Sequence, residues 1–168
     1  MNEADFDDFY TGSYARVTSQ VYAMIGNRDE AEECVQEAFV RAWHHRSQLD
    51  KVQYPDAWVR TTAYRLAVSR WRRVVRGRRP PDRAVGNVGH TPGISENHVA
   101  LVEALKQLPE PQRLAIVLHH IADLPVDEVA RELQAPVGTI KTRLSRGRAT
   151  LATLLSDDAP LAEGAHNA

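Results

Sequence analysis

The sequence predicts an all-α protein of two small helical domains joined by a flexible linker, the second containing a helix-turn-helix. Three observations carry that expectation. Apolar residues recur at three-four spacing through most of the 168 residues, the mark of amphipathic helices. Between Gly77 and Asn97, "GRRPPDRAVGNVGHTPGISEN" loses this periodicity and gathers Pro and Gly, as linkers do. Finally, "LPVDEVARELQAPVGTIKTRLSRGRATL" sets two helical patterns on either side of a short turn around Gln134 to Val137, the arrangement of a helix-turn-helix. The expected organisation is a first domain over 1–76, a linker over 77–97, a second domain over 98–155 and a disordered tail over 156–168. A linker of this length spans at most about 70 Å, enough for the two halves to bind separate places on one large partner.

Each element follows from its spacing. Phe6, Phe9, Tyr10, Val17, Val21, Tyr22 and Ile25 suit a first helix over about 6–25. Asp29 is placed to cap a second, with Glu32 three residues on as in a capping box. That helix turns Ala31, Cys34, Val35, Ala38, Phe39 and Ala42 inward and presents Glu33, Gln36, Glu37 and Arg41 outward. A third begins after Pro55 and runs to about Arg76, with Val59, Ala63, Leu66, Ala67 and Val74 on one side. Thr61, Tyr64, Arg65, Val68 and Arg72 lie roughly opposite, with Trp58 at one edge and Arg60 and Trp71 towards the other. Aromatics among arginines on an exposed face suit a flexible or partly single-stranded nucleic acid, because rings stack on bases while arginine pairs with phosphate. Equally, Trp58, Tyr64 and Trp71 could cover the rim of a small core.

After the linker, "HVALVEALKQL" turns Val99, Val102, Leu105 and Leu108 inward and stops at Pro109 and Pro111. A helix over about 111–121 buries Leu114, Val117, Leu118 and Ile121, and the first helix of the helix-turn-helix buries Val129, Ala130 and Leu133. In the last helix Val137, Ile140, Leu144 and Leu151 share a face and Thr142 points away from them, flanked by Thr139, Ser145 and Arg146. Lys141 and Arg148 lie along one border and Arg143 along the other. Short hydroxyls ringed by long cations suit a helix entering a DNA major groove, where base edges are met at the centre and phosphates at the sides. A merely soluble terminal helix would mix acids with its cations, and this one has none. Gly147, near the apolar edge, costs about 1 kcal/mol of helix propensity relative to Ala, and no local pattern accounts for it.

The formal net charge of −1 conceals segregation. Residues 1–50 hold 4 Lys or Arg against 10 acids, 51–80 hold 9 against 1, 81–137 hold 4 against 8, and 138–155 hold 4 against none. Two cationic blocks in helical patterns read as two polyanion-facing surfaces. No apolar run reaches 18 residues and the N-terminus "MNEADFDDFY" is acidic, so neither membrane insertion nor a signal peptide is expected and the cytoplasm is the expected location. The single cysteine, Cys34, can form neither an internal disulfide nor a cysteine-based zinc site. His44–His45 and His119–His120 are adjacent pairs that point to different helix faces, with no HExxH-like spacing. There is no Gly-rich phosphate loop and no motif-spaced nucleophile and base, so no catalysis and no cofactor are expected.

These residues resemble the extracytoplasmic-function (ECF) group of the bacterial sigma-70 family over about 6–73 and 98–155. "DEAEECVQEAFVRAWHH" is similar to the helix that docks on the RNA polymerase clamp, and "PDAWVRTTAYRLAVSRWRR" to the helix that engages the −10 promoter element. "LKQLPEPQRLAIVLHHIADLPVDEVARELQAPVGTIKTRLSRGRATL" is similar to the C-terminal, −35-reading domain. The resemblance implies that Glu33, Gln36, Glu37 and Arg41 face polymerase. It implies that Trp58, Arg60, Thr61, Tyr64, Arg65 and Arg72 serve −10 recognition and melting. It further implies that Thr139, Lys141, Thr142, Arg143, Ser145, Arg146 and Arg148 read −35, and that "SQLDKVQY" captures a flipped-out base. Core RNA polymerase, promoter DNA and an anti-sigma factor are the implied partners. The family commonly has Asn where Arg65 stands, Asp at Ser69 and Ser or Thr at Pro125, and an extra cation at Arg65 would steepen salt dependence. The competing reading is a helix-turn-helix regulator that binds promoter DNA without acting as a sigma subunit. That reading leaves the acidic "DEAEECVQEAF" face without a purpose.

Overall fold

The computed structural model describes residues 1–77 and 95–157. It is all-helical over these residues: α1 (Glu3–Ile25), α2 (Arg28–His44), α3 (Arg46–Leu49), α4 (Pro55–Val75), α5 (Glu96–Lys106), α6 (Glu110–Ile116), a π turn (Val117–Ile121), α7 (Val126–Leu133) and α8 (Val137–Asp157). The expected linker and tail fall largely outside the described residues. At their edges, α5 already begins at Glu96, capped by the Ser95 hydroxyl accepting from the His98 N–H, and Ser156 and Asp157 still belong to α8.

Helices α1, α2 and α4 pack as one group. The inward face of α2 is the one the spacing predicts: Ala31, Cys34, Val35, Ala38, Phe39 and Ala42 are all buried. They meet Val17, Val21 and Met24 of α1 and Val59, Ala63 and Ala67 of α4. Small residues on α2 and α4 let the backbones approach closely, while Phe39 fills the wider end against Phe9, 5.6 Å between ring centroids. The cap of α2 differs from the expectation. Asn27, not Asp29, holds the N-cap, its Oδ1 accepting from the Glu30 N–H at 3.0 Å. Gly26 sits at φ +75° and turns the chain between α1 and α2, so the cap falls directly after that turn and leaves Asp29 inside the helix.

Helices α5 to α8 form the second group, around Leu105, Leu118, Val129, Ile140 and Leu144. The predicted helix over 111–121 begins at Glu110 and becomes a π turn from Val117. The turn of the helix-turn-helix is closed by Gln134 in the left-handed region, φ +51°. The Ala135 N–H reaches back to the Ala130 carbonyl at 3.0 Å, so Gln134 occupies a place that glycine fills in many helices, at about 1–2 kcal/mol of steric cost. Val137, expected to face inward, is 41% exposed. It is the first residue of α8, ahead of the point where that helix meets α6.

The two groups touch. Arg113 of α6 donates through Nε to the Met24 carbonyl of α1 at 2.8 Å. Lys106 of α5 lies over Gly26, where an added Cβ would come within 2.4 Å of its side chain. Tyr54, just before α4, donates its hydroxyl to Glu128 of α7 at 2.9 Å.

Candidate nucleic-acid interface

The side chains predicted from sequence to meet partners lie on three helices. On α8 the phase reading holds: Ile140, Leu144 and Leu151 are buried, while Lys141, Thr142, Ser145, Arg146 and Arg148 are exposed on the other side. Thr139 and Arg143 are half-buried at the borders. The Thr142 hydroxyl donates to the Gly138 carbonyl at 3.1 Å, which fixes the hydroxyl rotor and leaves its oxygen lone pairs outward. None of the four cations on this helix has an acidic partner among the described residues. They are free to take phosphate without first breaking an ion pair. His120, on the π turn, is held below the usual imidazole range by burial, by the neighbouring His119 ring and by the nearby Arg148 cation. His119 itself has Nδ1 at 2.8 Å from the Leu124 carbonyl.

On α4 the picture is mixed. Arg65 and Arg72 are exposed, and Trp58, Thr61 and Tyr64 are half-buried. Trp58 leans on His45, with ring centroids 6.2 Å apart, and lines an open cleft of about 540 Å³ with Arg65, Ser69 and Arg73. On the other side of Arg65 a second cleft, about 500 Å³, is bounded by Tyr64, Arg72, Arg73 and Arg76. Arg65, Ser69 and Arg73 line both concave surfaces, the first otherwise bounded by Arg41 and His45 and the second by cations together with Glu110. Burial, then the Glu110 carboxylate beside it, pushes the Tyr64 phenol well above its ordinary value. Trp71 is 58% exposed and available as a stacking surface, whereas Trp58 and Tyr64 partly serve as rim.

Arg60 departs from the sequence expectation. It was expected towards the exposed edge of its helix, yet it is 3% exposed. Its Nε and Nη2 donate to the two carboxylate oxygens of Glu132 on α7, at 2.9 and 2.7 Å, and its Nη1 donates to Gln20 Oε1 on α1 at 2.8 Å. In this arrangement Arg60 has no access to a nucleic acid. The reason is tertiary: the side chains of Glu132 from α7 and Gln20 from α1 converge on the edge of α4 that single-helix phase leaves open.

On α2 the outward stripe is where the sequence puts it. Glu33, Gln36 and Arg41 are exposed and Glu37 is half-buried. Glu37 accepts from Arg41 at 2.7 Å and from Arg70 of α4 at 2.9 Å, while Arg70 also donates to Glu33 at 3.0 Å. Gln36 reaches the Tyr14 hydroxyl at 3.3 Å. Val40, on the same stripe, is 57% exposed. Ion-paired acids around an exposed apolar side chain suit a protein partner better than a polyanion. Sequence reasoning missed Arg70 and Tyr14 here, and Arg73 and Arg76 on α4. The cationic excess over 51–80 was the available signal for the arginines, but it does not say which of them turns back to α2.

Among the described residues no group of three His, Cys, Asp or Glu could hold a metal ion, and no helix is long and apolar enough to cross a membrane. Cys34 is fully buried, and burial pushes its thiol up to about 11.

Comparison with known proteins identifies the family. The Sigma-70 region 2 family matches residues 9–77 and the Sigma-70, region 4 family matches residues 98–151. The ECF RNA polymerase sigma factor SigW of Bacillus subtilis is 31% identical over 173 residues, covering 92% of this chain and 89% of SigW. The ECF RNA polymerase sigma factor SigK of Mycobacterium tuberculosis is 32% identical over 152 residues, covering 85% of this chain and 81% of SigK. Among solved structures, the fold is similar to that of the sigma factor RpoE from Bartonella quintana, in complex with the anti-sigma factor NepR. There the TM-score is 0.73 at 24% identity, over 92% of this chain and 98% of RpoE. It is also similar to CnrH in complex with the cytosolic domain of CnrY, with a TM-score of 0.67 at 23% identity, over 94% of this chain and 92% of CnrH. With both sigma-70 regions present in order and these relatives aligned over nearly the whole chain, the protein belongs to the ECF group of the sigma-70 family and is an RNA polymerase sigma factor.

Proposed function

We propose that this sigma factor divides its work among the three surfaces, as a non-catalytic subunit that gives core RNA polymerase its promoter specificity. The α8 face centred on Thr142, with Lys141, Arg143, Ser145, Arg146 and Arg148 around it and Thr139 near its start, reads duplex DNA at −35. The α4 face, with Trp58, Thr61, Tyr64, Arg65 and Arg72, holds the −10 element and helps to keep it open. The α2 stripe of Glu33, Gln36, Glu37 and Arg41 docks on polymerase. The domain limits 1–76 and 98–155 follow the same division, and the cytoplasm is where core polymerase would be met. An anti-sigma factor is a further proposed partner, since RpoE of the same fold is described bound to one.

The observation that carries this reading is the contrast between surfaces: an α8 face whose four cations have no acidic partner among the described residues, exposed Arg65 and Arg72 on α4, and an ion-paired stripe with exposed Val40 on α2. Phosphates and a protein surface demand those two different chemistries. Run-off transcription with purified core polymerase and a genomic template library, followed by mapping of start sites, tests it. Discrete starts that depend on the added chain, with a shared motif at −35 and −10, are expected. If the chain binds promoter fragments but neither binds core polymerase nor supports starts, it acts as a helix-turn-helix regulator instead.

A further inference from the structure

We infer that His120, on the π turn ahead of the helix-turn-helix, belongs to the −35 surface as a further phosphate contact beside Arg148, and that promoter DNA takes it in its protonated form. The inference rests on the proposed role of α8 at −35.

The turn holds the two adjacent histidines in different settings. The Ala122 N–H donates to the Val117 carbonyl at 2.9 Å, five residues back, and the Leu124 N–H donates to the Leu118 carbonyl at 3.0 Å. Turns of this kind are uncommon and often mark functional positions. His119 is half-buried, with Nδ1 2.8 Å from the Leu124 carbonyl. His120 is exposed, and its ring meets that of His119 edge-on, with centroids 4.7 Å apart and planes at 71°. Neither ring nitrogen of His120 has a hydrogen-bond partner among the described residues. His119 is thus a fixed support, and His120 a free polar tip resting against it.

The charges around that tip are all of one sign. Arg148 of α8 and the His119 ring act on it, while α1 and α7, which pack against the π turn, present it no charged group. Arg148 is itself exposed without an acidic partner among the described residues, on the border of the face centred on Thr142. A phosphate drawn to Arg148 therefore meets His120 beside it. With no anion present, burial, His119 and Arg148 together disfavour the charged imidazole. A phosphate between the two side chains offsets the Arg148 charge and adds its own attraction, so it favours the imidazolium. Binding then takes up a proton. The sign follows: the contact is strongest below the imidazole range and is lost as pH rises through it.

The test uses holoenzyme assembled from core polymerase and the full chain, on a duplex promoter fragment taken from a mapped start and kept on ice so that closed complexes are measured. Affinity is read against salt concentration at about pH 6 and pH 8 for the wild-type chain, His120→Gln and His120→Lys. Comparing variants cancels the titration of polymerase itself. At pH 6 the wild type should bind about threefold more tightly than His120→Gln, the size of one exposed ion pair, and at pH 8 the two should match. Its plot of log affinity against log salt should be steeper than that of His120→Gln at pH 6 by up to about 0.9, one phosphate neutralised. His120→Lys, charged throughout, should keep the steeper slope at both pH values, which a ring that only packs would not explain; circular dichroism confirms that each variant is folded. Equal pH and salt responses in wild type and His120→Gln overturn the contact, as does a His120→Lys chain that behaves like His120→Gln. The same fragment with its −35 element scrambled separates this from the functional reading. If scrambling weakens binding but the variants do not differ, only the His120 contact is refuted; if scrambling changes nothing, the −35 role of α8 falls and the contact falls with it.

Discussion

Gly147 of α8 packs directly on Ile116 of α6: a Cβ built on the glycine would lie 2.9 Å from Ile116 Cγ1, 3.3 Å from its Cδ1 and 3.4 Å from Leu108 Cδ2. The glycine that seemed a loss of helix propensity is the point where α8 comes close enough to α6 to be seated. This contact sets the roll of α8 and therefore the direction in which Thr142 and Arg146 face.

Gly147→Ala should lower stability despite better helix propensity. The propensity gain is about 1 kcal/mol, whereas overpacking a buried contact costs about 1–3 kcal/mol. Ile116 is buried, and its Cγ1, held next to the branched Cβ, cannot swing aside as a flexible chain end would. Urea unfolding should show a net loss of about 1 kcal/mol. A more stable Ala variant would mean that α8 sits farther from α6.

Arg146→Ala removes an exposed cation with no acidic partner among the described residues, so unfolding should be unchanged. Holoenzyme affinity for a promoter carrying its −35 element should fall by about tenfold, the loss typical of one base or phosphate contact. Core binding should be intact in a pull-down. Equal loss on a template lacking the −35 element would assign Arg146 to phosphate contact alone.

Glu37→Lys reverses charge where Arg41 and Arg70 converge. Both pairs are partly exposed, and such pairs contribute at most about 1 kcal/mol each, so the helix bundle should remain folded. Polymerase binding should drop sharply while duplex binding by the free chain stays as it was. Retention of core binding would move the docking surface off α2.

Cys34 gives a prediction with a definite sign. Burial raises its thiol from 9.0 to about 11, so at pH 8 native chain should resist iodoacetamide and react fully in urea. Between pH 9 and 11 the unfolded chain gives up this proton while the folded one keeps it, so the thiol's contribution to stability declines as pH rises. Cys34→Ala should flatten that decline in thermal unfolding measured against pH. Rapid native alkylation at pH 8 would show that α2 opens locally.

Much of this architecture was legible residue by residue. The core of α2, the exposed stripe of Glu33, Gln36, Glu37 and Arg41, and the phase of α8 all followed from one number, the 3.6-residue turn, because a helix that must bury one face declares it in its own spacing. The short α3, the π turn and the Asn27 cap were less legible, since each depends on one or two residues and on where the neighbouring turn happens to end. The resemblance of the VQEAF and RLA segments to sigma factors is legible in the sequence itself.

Periodicity determined which side of each helix is apolar, and charge segregation determined that the cations concentrate in two helical stretches. Only the tertiary structure decided what lies across from each polar side. Arg60 shares a helix with Arg65, yet one is sealed against Glu132 and the other is exposed. The physical reason is range: helical phase is set by residues three and four apart, whereas the carboxylate that claims Arg60 arrives from 72 positions along the chain.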